Sequence, residues 1–181
     1  YKHGNYPLSL EYLIKAESYA TKISQEVSIL IKKGFVYSKQ NNIKKANYYA
    51  EKANRVSSSL TNADALPNLY VLKGEIAYGQ LRYNLAYEFA LKALVFFQEI
   101  NDEKGQLKVL DLLSRVYYEQ NKLQLALDCG RQYVVKSKKQ NMAFELAQAY
   151  TSMAMVFGKL NNADSADVFI NKAFEISKKE G

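Results

Sequence analysis

Small and apolar positions recur along this chain in a fixed register. Steps of 40 residues from Ala46 reach Ala86, Ala126 and Ala166. Four residues on, the same steps give Ala50, Ala90, Gly130 and Ile170; seven on, they give Ala53, Ala93, Tyr133 and Ala173. Twelve residues before the anchor alanines stand Gly34, Gly74, Ser114 and Ala154, all small, and three after those come Tyr37, Ala77, Tyr117 and Phe157. A further column, Tyr49, Phe89, Cys129 and Phe169, is mostly aromatic. The look-alike stretches "NNIKKANYYAEKA" (41–53) and "NNADSADVFINKA" (161–173) are therefore copies of one unit, three steps apart.

The segments carrying these columns are rich in Ala, Leu, Lys, Glu and Gln, which are strong helix formers. No β-branched run alternates with polar residues as a half-buried strand requires. Each unit therefore divides into two predicted helices. First helices are expected over 25–39, 65–80, 105–120 and 143–159, and second helices over 43–58, 83–100, 123–139 and 163–179. The polar turns "KQNN", "GQLR", "EQNK" and "KLNN" join them, and Asn41, Asn121 and Asn161 suit the left-handed conformation that ends a helix. "SSSLTNADALP", "EINDEKG" and "SKKQNMA" separate one unit from the next, with Pro67 suited to a first helical turn. The small columns should let the two helices of a pair approach to about 8–10 Å. The aromatic columns should fill the space between successive pairs.

A small residue, an aromatic three residues on, a polar turn, then Ala and a second Ala seven residues later resembles the tetratricopeptide repeat (TPR). "LLSRVYYEQNKLQLALDCGRQYV" (112–134) and "VLKGEIAYGQLRYNLAYEFALKAL" (71–94) carry the pattern best. The period of 40 exceeds the family's usual length of about 34, and the proline that commonly closes a repeat is missing. Both features are similar to the extended repeats of spindle-orienting and bacterial signalling adaptors. The resemblance implies an all-α fold, a right-handed superhelical array (α-solenoid) of antiparallel helix pairs. Residues 1–181 would form one array of about four and a half repeats, with pairs over 25–58, 65–100, 105–139 and 143–179. The half repeat is "YPLSLEYLIKAESYA" (6–20), which aligns with "YNLAYEFALKALVFF" (83–97), so residues 6–22 read as a second helix whose first helix is absent. No polar capping helix closes the other end. We therefore expect a piece of a longer array, with uncapped ends open to self-association.

Composition changes this picture little. Hydrophobic residues are 48% and charged residues 24%, ordinary for a soluble fold. The single cysteine excludes an internal disulfide and a cysteine-built zinc site. No apolar run nears the roughly 18 residues of a membrane span, and no signal peptide opens the chain, so a cytoplasmic location is expected. The net charge of +7 is concentrated at one end, since residues 1–60 hold ten Lys/Arg against four Asp/Glu. Such a stretch can attract nucleic acid, anionic lipid or an acidic partner. The same Lys32, Lys33, Lys44, Lys45 and Lys52 also read as solvated helix faces, and no RNP-like or Gly-rich phosphate motif accompanies them. His3 has no Cys, Asp or Glu at ligand spacing, and Cys129 stands in an aromatic column, as a buried small hydrophobe would. Asp164 and Asp167 suit the dipole of an early helical turn. With no HExxH or GxSxG motif, neither catalysis, a cofactor nor a metal is expected.

What remains is a surface. In the family the first helices line the concave side. If Gly34 and Tyr37 face the second helix, the stripe Ile31, Phe35, Ser38 turns toward the groove. Its equivalents are Val71, Glu75, Tyr78; Asp111, Arg115, Tyr118; and Thr151, Met155, Gly158, with Ser28, Asn68, Lys108 and Gln148 one turn earlier. Aromatic, Met, Arg and amide groups together suit capture of a protein or peptide ligand. The carboxylate clamp of chaperone-tail binders, a Lys and an Asn one turn apart on the first helix, is not matched by Ile31 and Phe35. The leading expectation is a non-catalytic protein- or peptide-binding scaffold. The alternative is the ligand-sensing TPR part of a bacterial signal-transduction or transcriptional regulator, working with its own flanking domain. RNA binding through the basic third ranks last.

Overall fold

The structure, a computed structural model, describes residues 5–58 and 65–180; His3 and residues 59–64 of the first connection lie outside them. The described residues form nine α-helices and no strand. In chain order these are α1 (Tyr6–Ser18), α2 (Ile23–Lys39), α3 (Ile43–Ser57), α4 (Leu66–Gly79) and α5 (Tyr83–Glu99), then α6 (Glu103–Glu119), α7 (Leu123–Lys139), α8 (Ala143–Lys159) and α9 (Ala163–Glu180). The fold is thus all-α and built from repeated helix pairs. Apart from α1, which stops at Ser18 rather than at residue 22, every end lies within two residues of its expected place. Pro67 sits in the first turn of α4, where its missing N–H costs nothing.

One turn type explains the regularity. Asn41, Leu81, Asn101, Asn121, Asn141 and Asn161, mostly 20 residues apart, all have φ between 52° and 61°. Each closes the helix before it with two backbone bonds. At the end of α2, Asn41 N donates to Ser38 O at 2.9 Å and Asn42 N to Tyr37 O at 2.9 Å. At the end of α7, Asn141 N reaches Lys138 O at 3.1 Å and Met142 N reaches Ser137 O at 3.0 Å. This is the Schellman closure, which satisfies carbonyls that a helix end leaves open. The next residue already caps the following helix. Asn42, Asp102 and Asn162 each accept an amide three residues on, at 3.0–3.1 Å. The longer connections expected at "EINDEKG" and "SKKQNMA" are therefore the same tight turn as those inside a pair.

The chain divides into two compact units, residues 1–96 and 97–181. In the first, α2 packs against α1, α3 and α4, and α3 packs against α4. Its core joins Val27, Leu30 and Ile31 of α2 with Ala46, Ala50 and Ala53 of α3 and Leu69, Leu72 and Ile76 of α4. Each fully buried leucine here contributes about 1.5–3 kcal/mol. In the second unit α6 packs on α7 and α8, α7 on α8, and α8 on α9. Ala126 and Leu127 of α7 meet Met153 and Val156 of α8, flanked by Tyr117, Phe157 and Phe169.

The columns pack as a helix pair requires, with one correction. Ser114 of α6 donates its hydroxyl to the carbonyl of Ala126 on α7 at 3.1 Å, so these two small columns do meet inside a pair. Gly34 faces elsewhere, because a Cβ there would collide with Leu72 of α4, the first helix of the next pair. The aromatic columns flank the clusters between successive pairs, as expected, and also stack inside a pair. Tyr37 stacks on Tyr49 (5.4 Å, 6°) and Phe157 on Phe169 (5.4 Å, 4°).

Candidate functional site

The two first helices of the second unit, α6 and α8, lie against each other and carry the more open set of expected groove residues. Arg115 and Tyr118 on α6 are half-buried, as are Gln148 and Thr151 on α8, while Lys108 is exposed. Met155 is 55% exposed, and Gly158 beside it faces open space. Phe144, also strongly exposed, stands one turn before Gln148. Phe144, Gln148, Thr151 and Met155 therefore share one side of α8 at i, i+4, i+7 and i+11. Thr151 keeps its hydroxyl on the Ala147 carbonyl (3.0 Å), which fixes its rotamer. Lys159 links the two helices: its ammonium donates to the Tyr118 carbonyl at 2.8 Å and lies 4.3 Å from the Tyr118 ring centroid. Neither Phe144 nor Lys159 falls in a repeat column. The one signal in the sequence that marks them is the four-residue spacing to Gln148 and Met155.

Asp111 departs from the expectation of a groove-facing carboxylate. It is buried, and its Oδ2 accepts Arg115 Nε at 3.1 Å, while Oδ1 is buried with no hydrogen-bond partner. Its charge is felt by the buried phenol of Tyr133, whose pKa is pushed up first by burial, then by Asp111 and Glu145, with Arg115 opposing. Cys129 is buried, as its column implied. Burial, with Asp128 adding to it, pushes the thiol up to about 11, so it stays protonated near neutrality.

In the first unit the same stripe is largely core. Ile31 is only 4% exposed and belongs to the α2–α3–α4 cluster, so it presents no side chain to a ligand. Phe35 packs partly on that cluster, and Ser38 and Asn68 are half-buried. Glu75 is buried, and Tyr78 is half-buried with its ring 5.7 Å from that of Tyr83. The reason is geometric: α2 has neighbours on three sides, which leaves a narrower free face than an i, i+4, i+7 stripe assumes. Lys33, expected among solvated faces, is buried too. It donates to Glu17 on α1, and 40 residues on Lys73 donates to Asn54 on α3 at 2.8 Å. The same lysine column thus ties α2 to α1 and α4 to α3.

Among the described residues no group of three His, Cys, Asp or Glu is placed to hold a metal ion, and no helix is long and apolar enough to cross a membrane. No protein-family model matches the sequence, and no curated protein matches it in sequence. Solved structures do match in shape. One is the crystal structure of BtubC (BKLC) from P. vanneervenii, at 18% identity and a TM-score of 0.70, covering 99% of this chain and 76% of that one. Another is a Signal Transduction ATPase with Numerous Domains (STAND) protein with a tetratricopeptide repeat sensor, from Pyrococcus horikoshii. That match has 19% identity and a TM-score of 0.72, and covers 97% of this chain but only 27% of the other. At such identities the likeness concerns the fold: this chain shares the helical-repeat architecture of both.

Proposed function

We propose that this chain is a non-catalytic, TPR-like binding module whose ligand is a protein segment held across α6 and α8. The stripe on α8 carries the reading. Two large, exposed apolar side chains, Phe144 and Met155, flank the polar Gln148 and Thr151, and Arg115 and Tyr118 stand on the adjoining helix. Apolar anchors around polar groups suit a peptide, whose side chains need pockets and whose backbone needs hydrogen bonds. A phage-displayed library of 16-residue peptides, selected on the chain, tests this. Selected peptides should lose at least tenfold in affinity on a Phe144→Ser/Met155→Ser variant and little on Tyr48→Ser, which alters an exposed tyrosine of α3. Equal binding to the stripe variant and the wild type would refute the reading.

A second reading is favoured by one comparison: a matching structure contains a tetratricopeptide repeat sensor and is much longer than this chain. In that reading the same face senses a ligand and passes the event to a neighbouring domain of a regulator. A ligand-dependent change in proteolytic protection of the α6–α8 turns would separate a sensor from a static scaffold.

A further inference from the structure

The last helix departs from the register that governs the others. On α7, the residues Leu127, Gly130, Val134 and Ser137 form the face covered by α8: Leu127 shares a cluster with Met153 and Val156, and Val134 packs on it. Gly130 is needed there, because a Cβ would lie 2.7 Å from Met153 Cγ. Forty residues on, α9 presents Asp167, Ile170, Phe174 and Ser177, all exposed, with Ile170 at 53% and Phe174 at 62%. The column that is Ala50, Ala90 and Gly130 in earlier units, small enough for a helix to close on, becomes isoleucine. Hence this face offers two large apolar knobs where α7 offers a hollow.

Knobs of this kind fit a second copy of themselves. The exposed Asp164 and Asp167 lie at the start of α9, and Lys178 and Lys179 at its end. Two α9 helices laid antiparallel about a point near residue 172 place Ile170 of each beside Phe174 of the other. The same arrangement sets Asp167 of each helix next to Lys178 of the other, while Asp164 comes next to Lys179 and opposite Glu180. A parallel arrangement would set like charges together. We propose that two copies of this chain associate through α9, antiparallel about a two-fold axis, with Ile170 and Phe174 at its centre. Such a contact is isologous and closes at two copies.

With two large apolar side chains from each copy, the contact is small, and a Kd of about 10–100 µM is expected. Sedimentation velocity from about 2 to 200 µM should show a mean mass rising from one chain toward two, and no further. Phe174→Asp should remain monomeric throughout with an unchanged helical circular-dichroism spectrum, since the ring it removes is exposed. Lys178→Glu/Lys179→Glu should weaken association about tenfold at 50 mM salt, and adding Asp164→Lys/Asp167→Lys should restore it. A wild-type chain that stays monomeric at 200 µM, or grows past two copies, would overturn the proposal. So would dimers that survive Phe174→Asp, or charge reversals that the compensating pair does not repair. Peptide binding at α6 and α8 is read separately and is not altered by either result.

Discussion

A single side chain is out of keeping with its place in the turns. Among the described residues, five of the six left-handed positions are asparagine, which tolerates that conformation through its short amide; the sixth is Leu81, with φ of 61°. Leucine there carries a penalty of about 1–2 kcal/mol, and Leu81 is 71% exposed, so burial returns little to offset it. Leu81→Asn should therefore raise the stability of the chain by about 1 kcal/mol, read as a higher urea midpoint with an unchanged slope. An unchanged or lower midpoint would mean that the backbone at this turn holds no strain. Its neighbours follow the same logic at the next residue. Asn42, Asp102 and Asn162 cap their helices through side-chain oxygens, whereas Lys122 and Met142 hold the same place without a cap bond.

At the scale of the element, the pairing of α6 with α7 depends on small residues meeting small residues. Ala126 is fully buried, and its carbonyl takes the Ser114 hydroxyl. Ala126→Leu should overpack this contact and cost about 1–3 kcal/mol, measured by thermal or urea unfolding. Asn47→Leu, on the exposed side of α3, serves as the control and should change stability by less than about 0.5 kcal/mol. A harmless Ala126→Leu would mean that the small columns are not what sets the helix separation. The helices were legible because the same columns recur four times, and a recurring Ala or Gly marks a close approach wherever it stands. Which neighbour is approached was not legible. Gly34 and Ser114 share a column, yet Gly34 faces Leu72 of the following pair and Ser114 faces Ala126 of its own. A helix with several neighbours offers several close faces, and sequence register marks the position along the helix, not the partner. The same uncertainty turned Ile31 and Asp111 into expected groove residues, although packing buries both. Phe144 and Lys159 escaped notice because they differ from their counterparts, and a search for repeats rewards likeness.

For the molecule as a whole, the excess of positive charge is partly spent inside the fold and otherwise scattered. Residues 1–60 carry ten Lys/Arg against four Asp/Glu, but several of these cations are already engaged inside the fold. Lys33 is buried against Glu17, Lys52 stands 3.9 Å from the same carboxylate, Lys15 pairs with Glu11 at 2.8 Å, and Lys45 lies over the Tyr37 ring at 5.1 Å. Lys22, Lys32, Lys39 and Lys44 are exposed, on two different helices and the turn before α2. Scattered cations of this sort bind a polyanion by releasing counterions, not by reading shape, and such binding falls steeply with salt. A fluorescent single-stranded RNA of about 20 nucleotides should thus show weak anisotropy change with the chain at 50 mM salt and none at about 0.3 M. Retention at 0.3 M would demand a built phosphate site and would move RNA ahead of protein ligands. Loss at 0.3 M leaves the charge a milder role, that of speeding the approach of an acidic partner. In that case the association rate of a selected peptide should fall with salt while its dissociation rate stays nearly constant.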